Sequence, residues 1–135
     1  MEQLEEWKFG KDNNKLIELV LEGKKTATTS LKSNRIPSIG EKSVMLWDNG
    51  QKACAVETKN VIITKFKNIT PEMAYLEGEG DRTLEYYRKV HTEFFKTIDP
   101  GFNDDTEVVF EIFEVVEDLR KYMDNHQKVI SLQQK

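Results

Sequence analysis

The sequence predicts a single α+β domain: a small, partly open β-barrel of five or six strands with three helices packed over its end. Three observations predict this. Strand-like runs cluster in the middle of the chain, between residues 25 and 66. Helical periodicity frames them, at about 13–22 and again at 83–96. Helices and strands do not alternate, so a doubly wound parallel sheet is excluded.

The elements follow in order. Leu16, Ile17, Val20 and Leu21 recur at helical spacing and give residues 13–22 one apolar face. Asp12 or Asn13 can cap its start, and Gly23 suits the left-handed residue that ends a helix. Residues 25–31 carry Thr26, Thr28 and Thr29, which favour extended chain. Residues 43–47 and 52–57 flank Asp48-Asn49-Gly50, an Asn-Gly hairpin signal. Residues 60–66 alternate and read as a further strand. Thr70-Pro71-Glu72 opens a short helix that ends near Gly78, with Thr as cap and Pro at the first helical position. The next helix, 83–96, presents Leu84, Tyr87, His91, Phe94 and Phe95 on one face, and Asp99-Pro100-Gly101 stops it. Residues 106–116 are apolar on both faces, as in a covered central strand. Residues 1–118 form the domain, and 119–135 read as a charged tail, frayed or helical.

Composition narrows the function. With 38% hydrophobic residues the chain has enough apolar material for a core. One cysteine, Cys54, excludes an internal disulfide and a multi-cysteine zinc site, and in a strand it reads as a buried thiol. The acidic, non-apolar N-terminus is not a signal peptide, and no apolar run is long enough to span a bilayer. The cytoplasm is the expected location and a membrane is not an expected partner. Residues 1–68 carry a net +3 and residues 69–135 a net −7. An acidic chain of this kind is not built to track long nucleic acid by its phosphates, so DNA is not expected.

Two segments concentrate chemistry. The run Gly23-Lys24-Lys25-Thr26-Ala27-Thr28-Thr29 is not a nucleotide phosphate loop. Such a loop needs a glycine five residues before its Gly-Lys, where this chain has Glu18, and it precedes a helix rather than a strand. The second segment, Ala74-Tyr75-Leu76-Glu77-Gly78-Glu79-Gly80-Asp81, sets three acids among two glycines at offsets that do not fit a calcium loop. It reads first as an exposed acidic connection, with Asp81 capping the following helix, and second as a weak divalent-ion site. His91 falls on an apolar helix face and reads first as a hydrogen-bonded core or cleft-edge histidine. Trp47, Phe94 and Phe95 read as core.

Taken together, the two segments, the Pro-and-Gly loop Ile36-Pro37-Ser38-Ile39-Gly40 and the helix bearing His91 and Phe94-Phe95 resemble the ASCH domain family, within its longer bacterial subgroup that carries the EGEGD stretch. The likeness runs from about Trp7 to Val116. It implies a PUA-like barrel and a partner that is RNA or a nucleoside-type small molecule. The implied cleft lies between residues 24–29 and 77–81, with Lys24, Thr26, Arg35, Glu79, Asp81 and His91 as ligand contacts. Neither a cofactor nor a metal is implied, and self-association is left open. Two functions stay open: binding of RNA or a modified nucleoside, and catalysis, either hydrolysis of N4-acetylcytidine or a related N-acylated nucleoside or cleavage of RNA. For hydrolysis the resemblance places the catalytic groups at Lys25, Thr28 and Glu77, with Glu79 as rival acid. Lys25 would be the base if burial lowered its pKa, and Thr28 the nucleophile. Residues three apart on a straight strand face opposite ways, so Lys25 and Thr28 converge only if the chain turns between them.

Overall fold

Two long strands rich in β-branched and aromatic residues form the spine: β4 (Lys52–Lys65) and β5 (Glu107–Asp118), paired antiparallel along nearly their whole length. The computed structural model describes residues 4–33 and 35–122. Within them β1 (Glu5–Trp7), β2 (Ala27–Leu31) and β3 (Lys42–Leu46) complete one mixed sheet in the order β1-β3-β4-β5-β2. Only the β1–β3 pair is parallel. The sheet curls into a half-barrel carrying α1 (Asn13–Leu21), α2 (Pro71–Glu77) and α3 (Leu84–Ile98), so the α+β expectation holds.

One expectation needs correction, and one strand, β1, was not foreseen. Residues 52–57 and 60–66 are not separate strands but parts of one 14-residue strand. Lys59 is the extra residue of a bulge: Thr58 stands opposite Phe113, and Asn60 opposite its neighbour Ile112. The bulge bends the strand without ending its pairing, so the polar Thr58-Lys59-Asn60 step looks like a break in sequence. β1 carries too few residues to show a period, and it is held by pairing to β3 and by the Trp7 indole N–H donating to Ser43 Oγ at 2.9 Å.

Two apolar clusters hold the helices. Phe66, Ile69, Ala74, Tyr87, Phe95, Phe102, Val108 and Phe110 bury α2 and α3 against the β2–β5–β4 face. Ile17, Val20, Met45, Trp47, Cys54, Val56 and Phe113 bury α1.

Helix ends follow local chemistry. Thr70 caps α2 by accepting from the Met73 N–H, and Gly78 ends it at φ 71°. The cap of α3 is Thr83, which accepts from the Tyr86 N–H at 3.1 Å; Asp81 instead braces Thr83, accepting from its hydroxyl at 2.6 Å. Asp12 precedes α1 in a left-handed conformation without a side-chain cap. Asn13 is buried, accepting from the Phe9 N–H and donating to the Leu46 carbonyl. The charged tail is described only to Tyr122, as one 3-10 turn over Arg120–Tyr122; the remainder, with His126, lies outside the described residues.

Candidate functional site

Lys25 is placed by the way α1 ends. Gly23, at φ 81°, reverses the chain, and the backbone N–H groups of Lys24 and Lys25 both return to the Leu19 carbonyl at 3.0 and 3.1 Å. This turn drives the Lys25 side chain inward before β2 begins, leaving the residue 1% exposed. Burying an ammonium is costly unless it is paired and hydrogen-bonded. Here it donates to Glu77 Oε1 and to Glu79 Oε2, each at 2.7 Å, and to the Ala27 carbonyl at 2.9 Å. The Phe9 ring stands 5.3 Å from the ammonium and adds a cation–π contact.

Glu77 is the last residue of α2 and is itself 1% exposed. Besides Lys25, its Oε2 accepts from the Thr29 hydroxyl at 2.6 Å. Thr29 in turn lies 2.7 Å from the Tyr87 hydroxyl. Because Thr29 gives its only proton to Glu77, Tyr87 must donate to Thr29. His91 Nε2 stands 3.6 Å from Glu77 Oε1, and its Nδ1 lies 2.9 Å from the Tyr87 carbonyl, four residues back on α3. The imidazole stacks on the Tyr87 ring at 3.9 Å. Glu77 is thus surrounded by donors from β2 and α3. Glu79 comes from the loop after α2, and its side chain is 16% exposed, so it is the carboxylate of the pair that reaches solvent.

The electrostatics follow from this arrangement. Burial pulls the Lys25 pKa down, but Glu77 and Glu79 outweigh it and raise it above an ordinary lysine. Burial pushes Glu77 up, and the Lys25 charge with help from His91 more than reverses it, holding the carboxyl well below the usual range. Glu79 moves up: burial and the neighbouring Glu77 charge outweigh Lys25. Burial lowers His91, and the hydrogen bond and charge of Glu77 raise it further than burial lowers it. One ammonium between two carboxylates leaves a surplus negative charge, and protonating Glu79 removes it at the solvent-facing end. The oxygens of Glu77 and Glu79 and a nitrogen of His91 lie within 4.8 Å of one another, a spacing that fits a metal. The Lys25 ammonium bonds both of these carboxylates.

The predicted site residues divide into two sets. The fold brings Lys25, Glu77, Glu79 and His91 together. Thr26 joins at the backbone, its N–H donating to the Leu76 carbonyl at 2.9 Å and tying β2 to α2. Thr28 faces away: along β2, Ala27, Thr29 and Leu31 are buried toward α2 and α3, whereas Thr28 lies on the other face directly opposite Glu111 of β5. Lys24 is exposed beside Glu22. Arg35 pairs with Glu41 and Glu5, neither of them in the cluster. Asp81 is spent on Thr83. The raised Lys25 pKa is opposite to the direction a lysine base requires. Thr29 and Tyr87 are the residues that sequence reasoning missed. The period-two alternation from Ala27 through Leu31 could have found Thr29; nothing local marks the Tyr87 hydroxyl.

An ASCH domain model matches residues 5–117. The fold is shared with the ASCH domain from Lactobacillus crispatus JV V101, at TM-score 0.80 and 26% identity over 85% of this chain and 80% of that one. It is shared also with a protein from Enterococcus faecalis V583, at TM-score 0.81 and 28% identity over 90% and 82% of the two chains. The ASCH structure from Zymomonas mobilis, at 10% identity and TM-score 0.55 over 96% and 93%, is alike in fold alone. Among curated proteins none matches the chain. With the family model spanning nearly all of the described residues, the chain belongs to the ASCH domain family.

Proposed function

We propose that the protein binds an RNA base or a modified nucleoside at the solvent-facing edge of the Lys25–Glu77–Glu79 cluster. The observation that carries this reading is Glu79. Its carboxyl reaches solvent while hydrogen-bonded at 2.7 Å to a buried lysine ammonium. Such an edge accepts from a ligand N–H when ionised and donates when protonated, which suits a base edge bearing both donors and acceptors. Family membership supports RNA as the broad ligand class. The overall acidity favours a small ligand over a phosphate track.

Titration with nucleosides and short RNAs tests this. Saturable nucleoside binding with little salt dependence is expected, weakened roughly tenfold or more by Glu79→Gln. Binding only to long RNA, with a steep salt slope, would replace the base-edge reading with an electrostatic one. Binding of neither would end both.

The same geometry favours a second reading, hydrolysis of an N-acylated nucleoside such as N4-acetylcytidine. A carboxyl whose pKa is raised above the ordinary glutamate range by burial and a neighbouring carboxylate, beside a fixed ammonium, is suited to exchange a proton with a substrate. Glu79 would take a proton from the attacking water and hand it to the leaving amine as the acyl C–N bond breaks. Lys25 would stay protonated and offset the charge developing on the acyl oxygen. Thr28 is the rival nucleophile, and it would need Glu111 rather than Lys25 as its neighbour. Glu79→Gln is expected to slow cytidine release on the order of a hundred- to ten-thousand-fold, with Thr28→Ala near wild type. The reverse pattern would assign the chemistry to Thr28.

A further inference from the structure

The loop joining α2 to α3 folds back on itself through three left-handed residues: Gly78 at φ 71°, Gly80 at φ 59° and Arg82 at φ 64°. Conformation asks for glycine at the first two, and at Gly78, where a Cβ would meet backbone, space demands it as well. A Cβ at Gly78 would stand 2.2 Å from the Lys24 carbonyl oxygen, and one at Gly80 would stand 2.4 Å from the Tyr86 ring. Arg82 has a Cβ and holds the same unfavourable conformation, so something in its surroundings must maintain it.

Its side chain supplies the reason. Nε donates to the Tyr75 carbonyl at 3.1 Å, and a terminal nitrogen donates to the Lys24 carbonyl, also at 3.1 Å. The guanidinium lies 3.6 Å from the centroid of the Tyr75 ring. One side chain therefore joins the last turn of α2 to the backbone just before Lys25. The Arg82 N–H donates in addition to the Glu79 carbonyl at 3.0 Å, closing the turn that carries Glu79. Glu79 belongs to no helix or strand, so beyond its own bond to Lys25 this turn is what fixes its backbone.

We propose that Arg82 is a positioning residue that latches the 78–82 loop onto the Lys24 backbone and so holds Glu79 against Lys25. Only its effect on a ligand rests on the base-edge reading above. The test compares Arg82→Gly, which permits the left-handed conformation but removes fork and stack, with Arg82→Lys, which keeps the charge without the fork. In both, hydrogen exchange at the Gly78 amide is expected to quicken about tenfold while the Phe110 amide is unchanged. The Glu79 carboxyl, followed by NMR, should titrate closer to an ordinary glutamate than it does in the wild type. Nucleoside affinity should fall about tenfold in parallel. A lower melting temperature with unchanged Glu79 titration would mark a purely structural arginine and overturn the proposal. So would unchanged Gly78 exchange in Arg82→Gly. If the wild type binds no nucleoside, the base-edge reading fails, and the exchange and titration measurements still decide the role of Arg82.

Discussion

At the scale of single residues, Lys25 and Glu77 show how a buried charge is tolerated. Neither could be buried alone, because an unpaired ion in the interior costs several kcal/mol (about 3–5 when one partner is removed). Their pairing links stability to pH. The folded pKa of Glu77 lies below its unfolded value of about 4.3, so its contribution is present above that pH and is lost as pH falls toward the folded value. Lys25 is raised, so its contribution is complete below about pH 10.4 and is lost only as pH climbs through the folded value. Glu79, also raised, opposes Glu77: it favours the fold most at low pH and less as pH rises through its folded pKa. Replacing Glu77 by Gln should lower stability at pH 7 by about 3 kcal/mol, with the gap to wild type narrowing below about pH 4. Urea denaturation across pH 2–8 would check this, and a gap that stays constant would show that Glu77 is not held ionised.

At the scale of elements, the site depends on two helix ends meeting. The end of α1 delivers Lys25 and the end of α2 delivers Glu77, and each is followed by a left-handed glycine, Gly23 and Gly78. The two glycines differ in what surrounds them. Gly23 has no atom within 4 Å of a Cβ position, so only its backbone conformation asks for glycine. Gly78 packs directly on the Lys24 carbonyl and would clash with backbone that cannot move aside. Gly78→Ala is therefore expected to cost at least about 2 kcal/mol, and Gly23→Ala only about 1 kcal/mol. Thermal unfolding of the two variants gives the comparison, and equal losses would contradict the close approach of the two helix ends.

For the whole molecule, the β4–β5 spine separates two environments. On the α2–α3 side the apolar cluster includes Tyr87, whose hydroxyl feeds the charged site, so packing and polar chemistry share one core. On the α1 side the apolar cluster buries Cys54 completely. Burial pushes that thiol up to about 12, which leaves almost no thiolate at neutral pH. Labelling by a thiol reagent at pH 8 should thus track global unfolding, and its rate should rise with denaturant as the folded population falls. Rapid stoichiometric labelling of the native protein would show that this side of the fold opens on its own.

Much of this architecture was legible in the sequence because it is local. Thr70-Pro71, the Asn49-Gly50 turn and the helical spacing of Leu16, Ile17 and Val20 each state their structure within a few residues. The resemblance carried by Gly23–Thr29 and Glu77–Asp81 likewise picked out Lys25, Glu77 and Glu79 without coordinates. What the chain could not state locally was decided by tertiary structure. The continuity of β4 through its bulge depends on pairing with β5, and β1 exists only against β3. Which threonine meets the charged cluster depends on which face of β2 the helices cover, and that face carries Thr29 rather than Thr28. The sign of the Lys25 pKa shift depended on how many carboxylates reached it. Burial alone would have lowered it, and two glutamates converging from more than fifty residues away reversed the direction.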